Sequence, residues 1–169
     1  MHNKLLTNYD RNRRHLTDDP SCPVCHNGVE TISHVLRDCL IAKALWLKLL
    51  PLSDNARFFD LNFNDWMVGN LRNGSTAWEN LDWRMLFGFT CWYIWTWRNK
   101  LVFNNSRVDG SSKPNIILHA VHACVAAFDA LATVGEEDRF IWYDDPPSSA
   151  SLLLFGDIVG VAHPRMIGS

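Results

Sequence analysis

Apolar residues in this chain recur at helical spacing. Ile32, Val35, Leu36, Cys39, Leu40, Ala44 and Leu47 follow at mostly three- and four-residue steps, which predicts a helix over residues 30–50 with one apolar face. Thr31 or Ser33 stands where a cap belongs, and Pro51 stops the pattern. Residues 77–103 predict a long helix with two stripes, Leu81, Met85, Phe89 and Trp92 on one and Leu86, Tyr93, Trp97 and Leu101 on the other. Such a helix needs cover on more than one side. Residues 104–114 read as a loop. Residues 115–134 predict a further amphipathic helix carrying Ile117, Val121, Cys124, Val125, Phe128 and Leu131 on its apolar side. Residues 52–76 are mixed, a short helix and loops with a turn at Asn73-Gly74-Ser75. Residues 1–16 suggest a short helix or ordered arm, and residues 136–169 a poorly ordered tail.

Composition narrows this picture. Eight tryptophans among 169 residues supply enough area for a real core. The net charge of −2 makes the whole chain no general polyanion binder, so any nucleic-acid contact needs a local basic patch. The N-terminus has no apolar signal-peptide core, and no run of about 18 apolar residues offers a membrane span. Asp82, Arg84, Arg98, Asn99 and Lys100 interrupt the richest stretch. We therefore expect an intracellular protein, nuclear or cytoplasmic.

Cysteine usage points to a specific chemistry. Five cysteines are present, and three of them fall within residues 22–39. Cys91 and Cys124 sit alone in apolar surroundings and read as small buried hydrophobes. This layout suits a metal site in a reducing compartment better than a disulfide framework. Cys22, Cys25, His34 and Cys39 have the spacing C-x2-C-x8-H-x4-C, a donor set for one tetrahedral zinc ion. Pro23 favours the tight turn between the first two. His34 and Cys39 would diverge by about 140° on an ideal helix, so the backbone between them must deviate or a ligand be reassigned. Four protein ligands leave no open position, which makes such a site structural, with about 10–16 kcal/mol of apparent binding energy in small modules. Competing readings are buried free cysteines beside a core histidine, or a redox CxxC, although no βαβ pattern surrounds it. His26 is an alternative ligand to His34. Asp38 or Glu30 either orients His34 or is simply solvated.

The segments around these ligands form a recognisable set: Leu5-Leu6-Thr7-Asn8, Arg11, Arg13-Arg14-His15-Leu16, Cys22-Pro23-Val24-Cys25, Glu30 through Cys39, and Ala42-Lys43-Ala44-Leu45-Trp46. Over residues 4–50 they closely resemble the zinc-binding domain of plant non-LTR retrotransposon reverse transcriptases. Trp95 through Asn104 resembles the segment joining that domain to ribonuclease H in such elements. The resemblance implies a position after a polymerase and before a nuclease, neither of which this chain reproduces. It also implies a preceding aromatic-rich helix that Met1 leaves out. Trp142 and Pro146-Pro147 resemble the run-in to a first ribonuclease H strand, and Asp157 lies near the place of its first carboxylate. A two-metal nuclease needs several converging acids, and none follows.

The expected architecture is mainly α: a zinc module at 1–50 packed on a tryptophan-rich helical region at 55–135. The expected function is a non-catalytic, structural zinc module of retrotransposon origin that contacts RNA or an RNA–DNA hybrid. Lys4, Arg11, Arg13 and Arg14, with His15, are the candidate phosphate contacts, the alternative being a solvated charged face. The tryptophans read as core before base-stacking groups, and His119 and His122 as solvent-facing or packing groups before a second metal site. Rival functions are a zinc-stabilised protein-interaction module using the tryptophan-rich helices, or a decayed fragment without selected activity. Neither a membrane nor a small-molecule substrate is expected, and no nucleophile-elbow motif appears.

Overall fold

Short polar caps fix where three of the helices begin, and so where their apolar residues land. The computed structural model describes residues 5–50, 55–76, 80–107 and 109–133. Lys4 and the tail at 136–169 lie outside the described residues. Six α-helices are present among them: α1 (Asn8–Arg13), α2 (Leu40–Leu49), α3 (Asn55–Asp60), α4 (Phe63–Arg72), α5 (Trp83–Asn104) and α6 (Lys113–Thr133). A π-helical turn, His34–Asp38, precedes α2. Pairing of extended backbone is confined, among the described residues, to isolated bridges at Ser21–Val29 and Thr76–Asp82. The mainly α fold expected from the sequence is the one that forms, and among the described residues no helix is long and apolar enough to cross a membrane.

Three caps use the same device. The Thr7 hydroxyl accepts the Asp10 N–H at 3.3 Å, Asn62 Oδ1 accepts the Asp65 N–H at 3.0 Å, and Asp82 Oδ1 accepts the Arg84 N–H at 2.8 Å. The last of these corrects the predicted start of the long helix. Apolar residues occur from residue 77 onward, but α5 begins at Trp83 because Asp82 is the cap. Its far end closes at Asn105, left-handed at φ +50°, whose N–H bonds Leu101 O at 3.2 Å. The loop after it is shorter than predicted. Pro114 sits in the first turn of α6, where its missing N–H costs little.

An aromatic cluster forms the centre of the core. Trp46 stacks on Phe87 with ring centroids 5.4 Å apart, meets Trp66 edge-on at 5.9 Å, and touches Phe58 at 5.0 Å. Trp83 and Met67 close the group, and Ile94 and Trp97 extend it along α5 toward Ile117 and Val121 of α6. The apolar core runs without interruption from Leu5, Cys22 and Val35 to α6. Phe128, predicted on the apolar side of α6, is instead exposed, while Ile117, Val121 and Val125 pack inward.

The predicted helix over 30–50 is broken. Cys39 has φ −56° and ψ 134°, extended rather than helical, and α2 restarts after it. The restart rotates the apolar face. Leu40, Ala44 and Leu47 were expected inside but point outward, with Leu40 60% exposed, while Ala42, Leu45, Trp46 and Leu49 are buried.

Candidate metal centre

Two backbone segments deliver four donor atoms to one point. The first is the loop between Pro20 and Glu30. Cys22 N–H bonds Gly28 O at 3.0 Å, His26 N–H bonds Cys22 O at 2.9 Å, and Glu30 N–H bonds Pro20 O at 2.9 Å. These bonds fold the loop back on itself and turn both cysteine side chains inward. His26 takes φ +54° and Gly28 φ +81° at the reversal, a left-handed conformation that glycine adopts without strain. The second segment is the π turn. Thr31 Oγ1 accepts the His34 N–H at 3.1 Å and starts it. The Cys39 N–H then reaches back five residues to His34 O at 2.7 Å. The expected deviation between His34 and Cys39 is thus this widened turn followed by an extended Cys39. π-type insertions of this kind gather at functional sites.

The donor atoms of Cys22, Cys25, His34 and Cys39 all lie within 4.8 Å of one another. Cys25 Sγ is 3.3 Å from His34 Nε2. A tetrahedral ion with Zn–S near 2.3 Å and Zn–N near 2.0 Å separates such donors by about 3.5–3.8 Å. The spacing therefore fits one ion. All four cysteine and histidine groups are buried or half-buried, and all three cysteines are free of disulfides. His26, the alternative ligand, is exposed and not part of the cluster.

The electrostatics also favour a cation. A hydrogen bond to Cys39, and then burial, push the Cys22 thiol up. The same bond pulls Cys39 down, helped by the backbone N–H groups of Ile41 and Ala42 at the start of α2. Thiol protons are released when a divalent ion binds such sulfurs. Burial lowers the His34 imidazole against the opposing pull of Asp38 and Glu30, which favours the neutral ring a metal requires. Three thiolates and a neutral imidazole around Zn2+ carry net negative charge. Lys113 of α6 shares a cavity of about 40 Å³ with Cys22 and Cys39. Its ammonium stands 5.0 Å from the Trp97 ring centroid; burial lowers its pKa, and the Cys39 charge raises it. Zinc bound by Cys22, Cys25, His34 and Cys39 would clamp the loop to the π turn.

Glu30 was expected either to orient His34 or to be solvated. It does neither chiefly; it is fully buried and accepts Arg98 Nε at 2.9 Å and Nη2 at 2.5 Å. It also accepts the Asn8 N–H at 2.6 Å, the start of α1. Asn8 completes the knot, with Oδ1 3.2 Å from Arg98 Nη2 and Nδ2 donating to Ser21 O at 3.0 Å. This charged knot ties α1, the metal loop and α5 together across 68 residues of sequence. Arg98 had been read only as an interruption of an apolar run. Asp38 pairs instead with Arg37 and Ser33.

Of the described basic candidates, Arg11 and Arg13 lie on α1 and Arg14 caps its end. Arg13 and Arg14 are exposed and Arg11 is half-buried, and His15 is exposed beyond them. Trp46, Trp66, Trp83 and Trp97 are core. His119 and His122 are exposed and join no metal-holding cluster among the described residues. Cys91 is buried, and burial alone pushes its thiol up; Cys124 is half-buried.

Comparison with known proteins agrees with this chemistry. Residues 1–46 match the family described as zinc-binding in reverse transcriptase. An Arabidopsis thaliana protein described as a putative ribonuclease H protein is 33% identical over 102 residues. The matched region covers 60% of this chain but only 16% of that protein. No solved structure matches the chain at a significant level.

Proposed function

Since residues 1–46 are a reverse-transcriptase-type zinc-binding module of retroelement origin, we propose that this chain uses it to hold RNA or an RNA–DNA hybrid without performing chemistry on it. The supporting observation is the mounting of α1. Its first N–H is bonded to Glu30 and the Asn8 side chain to Ser21, so the metal loop sets the direction in which Arg11, Arg13 and Arg14 project. Guanidinium groups held in this way neutralise phosphates and release counterions, which gives salt-dependent affinity without sequence preference. Lys4 belongs to the same basic stretch of sequence.

The role proposed for zinc is structural. Three thiolates and an imidazole fill a tetrahedral shell and leave no place for a reactive water. The nuclease named for the Arabidopsis relative is not assigned to this chain, whose family match is to a zinc-binding module, and the free thiols the site needs support a nuclear or cytoplasmic location.

The test is a titration of zinc-loaded protein with single-stranded RNA and with an RNA–DNA hybrid at two salt concentrations. Affinity should fall as salt rises, and the paired substitution Arg13→Ala with Arg14→Ala should lower both the affinity and the salt slope. Absence of binding at low salt, or indifference to the paired substitution, would overturn the proposal. The rival reading, contact with protein, is favoured by one observation. The outer face of α2 exposes Leu40, Ile41 and Leu47 together. That face, and not the tryptophans, is where a partner would sit, and Leu47→Asp would abolish such an association while sparing RNA binding.

A further inference from the structure

We propose that the nucleic acid on this face is single-stranded, with unpaired bases stacked on Phe103 and Tyr9; this rests on the nucleic-acid reading above. Phe103, in the last turn of α5, is 62% exposed, and Tyr9 on α1 is 40% exposed. Each ring is covered by an arginine already assigned to the patch. The Arg11 guanidinium carbon lies 5.8 Å from the Phe103 ring centroid, and that of Arg13 lies 5.8 Å from Tyr9. Arg11 Nη1 also donates to Asn8 Oδ1 at 3.1 Å, which ties it to the buried knot. The end of α5 is thereby brought against α1, and α5 carries a further exposed cation, Lys100, one turn before Phe103. Asp10, the acid within α1, is buried and turned onto Thr7, so it does not oppose them.

Charge beside exposed aromatic rings is the combination that holds single strands. Phosphates take the cations, and every base offers a π-face to a ring. Guanidinium groups over the rings add cation–π attraction and fix ring orientation. A duplex or hybrid keeps its base faces stacked internally and presents only phosphates, 2′-hydroxyls and edges. On such a ligand Phe103 and Tyr9 would have nothing to stack against.

The discriminating probe is a fluorescein-labelled oligouridylate compared with an abasic oligomer of the same length and charge, both titrated by anisotropy against zinc-loaded full chain. The oligouridylate should bind more tightly than the abasic strand. Phe103→Ala should weaken oligouridylate binding about tenfold, leave the abasic strand unchanged, and be rescued by Phe103→Trp. Phe103 is exposed, so the substitution leaves the core intact, and an unchanged circular dichroism spectrum verifies this. Equal affinity for the two strands, or a Phe103→Ala loss shared by both, would overturn the stacking proposal while the phosphate reading stands. Failure of wild-type protein to bind either strand at low salt would overturn both.

Discussion

Replacing Glu30 by glutamine should unfold this protein more readily than any surface charge change. The substitution keeps shape and size but removes the charge that Arg98 faces. Glu30 and Arg98 are 0% and 2% exposed, so water cannot replace the lost partner. The carboxylate accepts from Arg98 at 2.9 and 2.5 Å and from the Asn8 N–H at 2.6 Å. A glutamine amide turns an N–H2 toward at least one of these donors. Breaking a buried pair by removing one partner costs about 3–5 kcal/mol. That is a large part of the roughly 5–15 kcal/mol that stabilises an ordinary domain. Urea unfolding of zinc-loaded protein, followed by tryptophan fluorescence, should show the midpoint falling by about 2 M, given a slope near 2 kcal/mol per molar. The combined change Glu30→Met with Arg98→Met should recover most of that loss, because it also removes the desolvation of both charges. A Glu30→Gln loss under about 1 kcal/mol, the range of exposed pairs, would refute the claim that the buried knot holds α1, the metal loop and α5 together.

Three further outcomes follow from the geometry. Cys25→Ser should lower the zinc content measured by mass spectrometry on purified protein, and chelation of wild type should reduce far-UV helicity and shift tryptophan emission to the red; full zinc retention, or a metal-free protein with unchanged spectra, would contradict the site. Gly28→Ala should cost about 1 kcal/mol in urea unfolding through backbone conformation alone, since φ is +81° yet an added Cβ would meet the His34 ring at an ordinary 3.9 Å; a neutral result would mean the loop relaxes freely. Asp82→Ala should cost about 1 kcal/mol as a lost helix cap. Hydrogen bonds from the Arg84 side chain, and then its backbone N–H, hold the Asp82 carboxyl below its usual range. The stabilisation is therefore full above the unfolded value near 3.9 and disappears as pH falls through the lower folded value, so wild type and variant should converge in acid.

The parts of this structure that were legible in the sequence are those with local causes. Cys22, Cys25, His34 and Cys39 announce themselves by donor type and spacing, and the helical period identifies most helices. The angular mismatch of His34 and Cys39 even located the backbone break. Its consequence was not legible. Periodicity carried through Cys39 assigns Leu40, Ala44 and Leu47 to the core, because counting residues assumes an unbroken helix. Once Cys39 is extended, the count restarts and Trp46 takes the inside position. The Glu30–Arg98 pair was hidden for a different reason. Partners 68 residues apart share no period, and a lone charge in an apolar run looks the same whether it meets water or a buried mate.

The break at Cys39 serves the core as well as the metal. In an unbroken α-helix the Leu36 carbonyl would accept the Leu40 N–H. Here it accepts Trp46 Nε1 at 2.7 Å, and Trp46 is the fully buried centre of the aromatic cluster. A buried indole N–H usually finds a partner; the interrupted helix supplies one to Trp46, whereas the equally buried Trp66 Nε1 has none. The widened turn is thus held from two sides, by ligands that must converge on one ion and by a core tryptophan whose indole N–H it accepts. Zinc binding and core packing select the same backbone. The metal loop then carries the direction of that backbone to α1 through Glu30 and Asn8. In the function proposed above, a structural ion in this position would act beyond its four ligands: it would fix the orientation of the arginines and, with them, the surface offered to a nucleic acid.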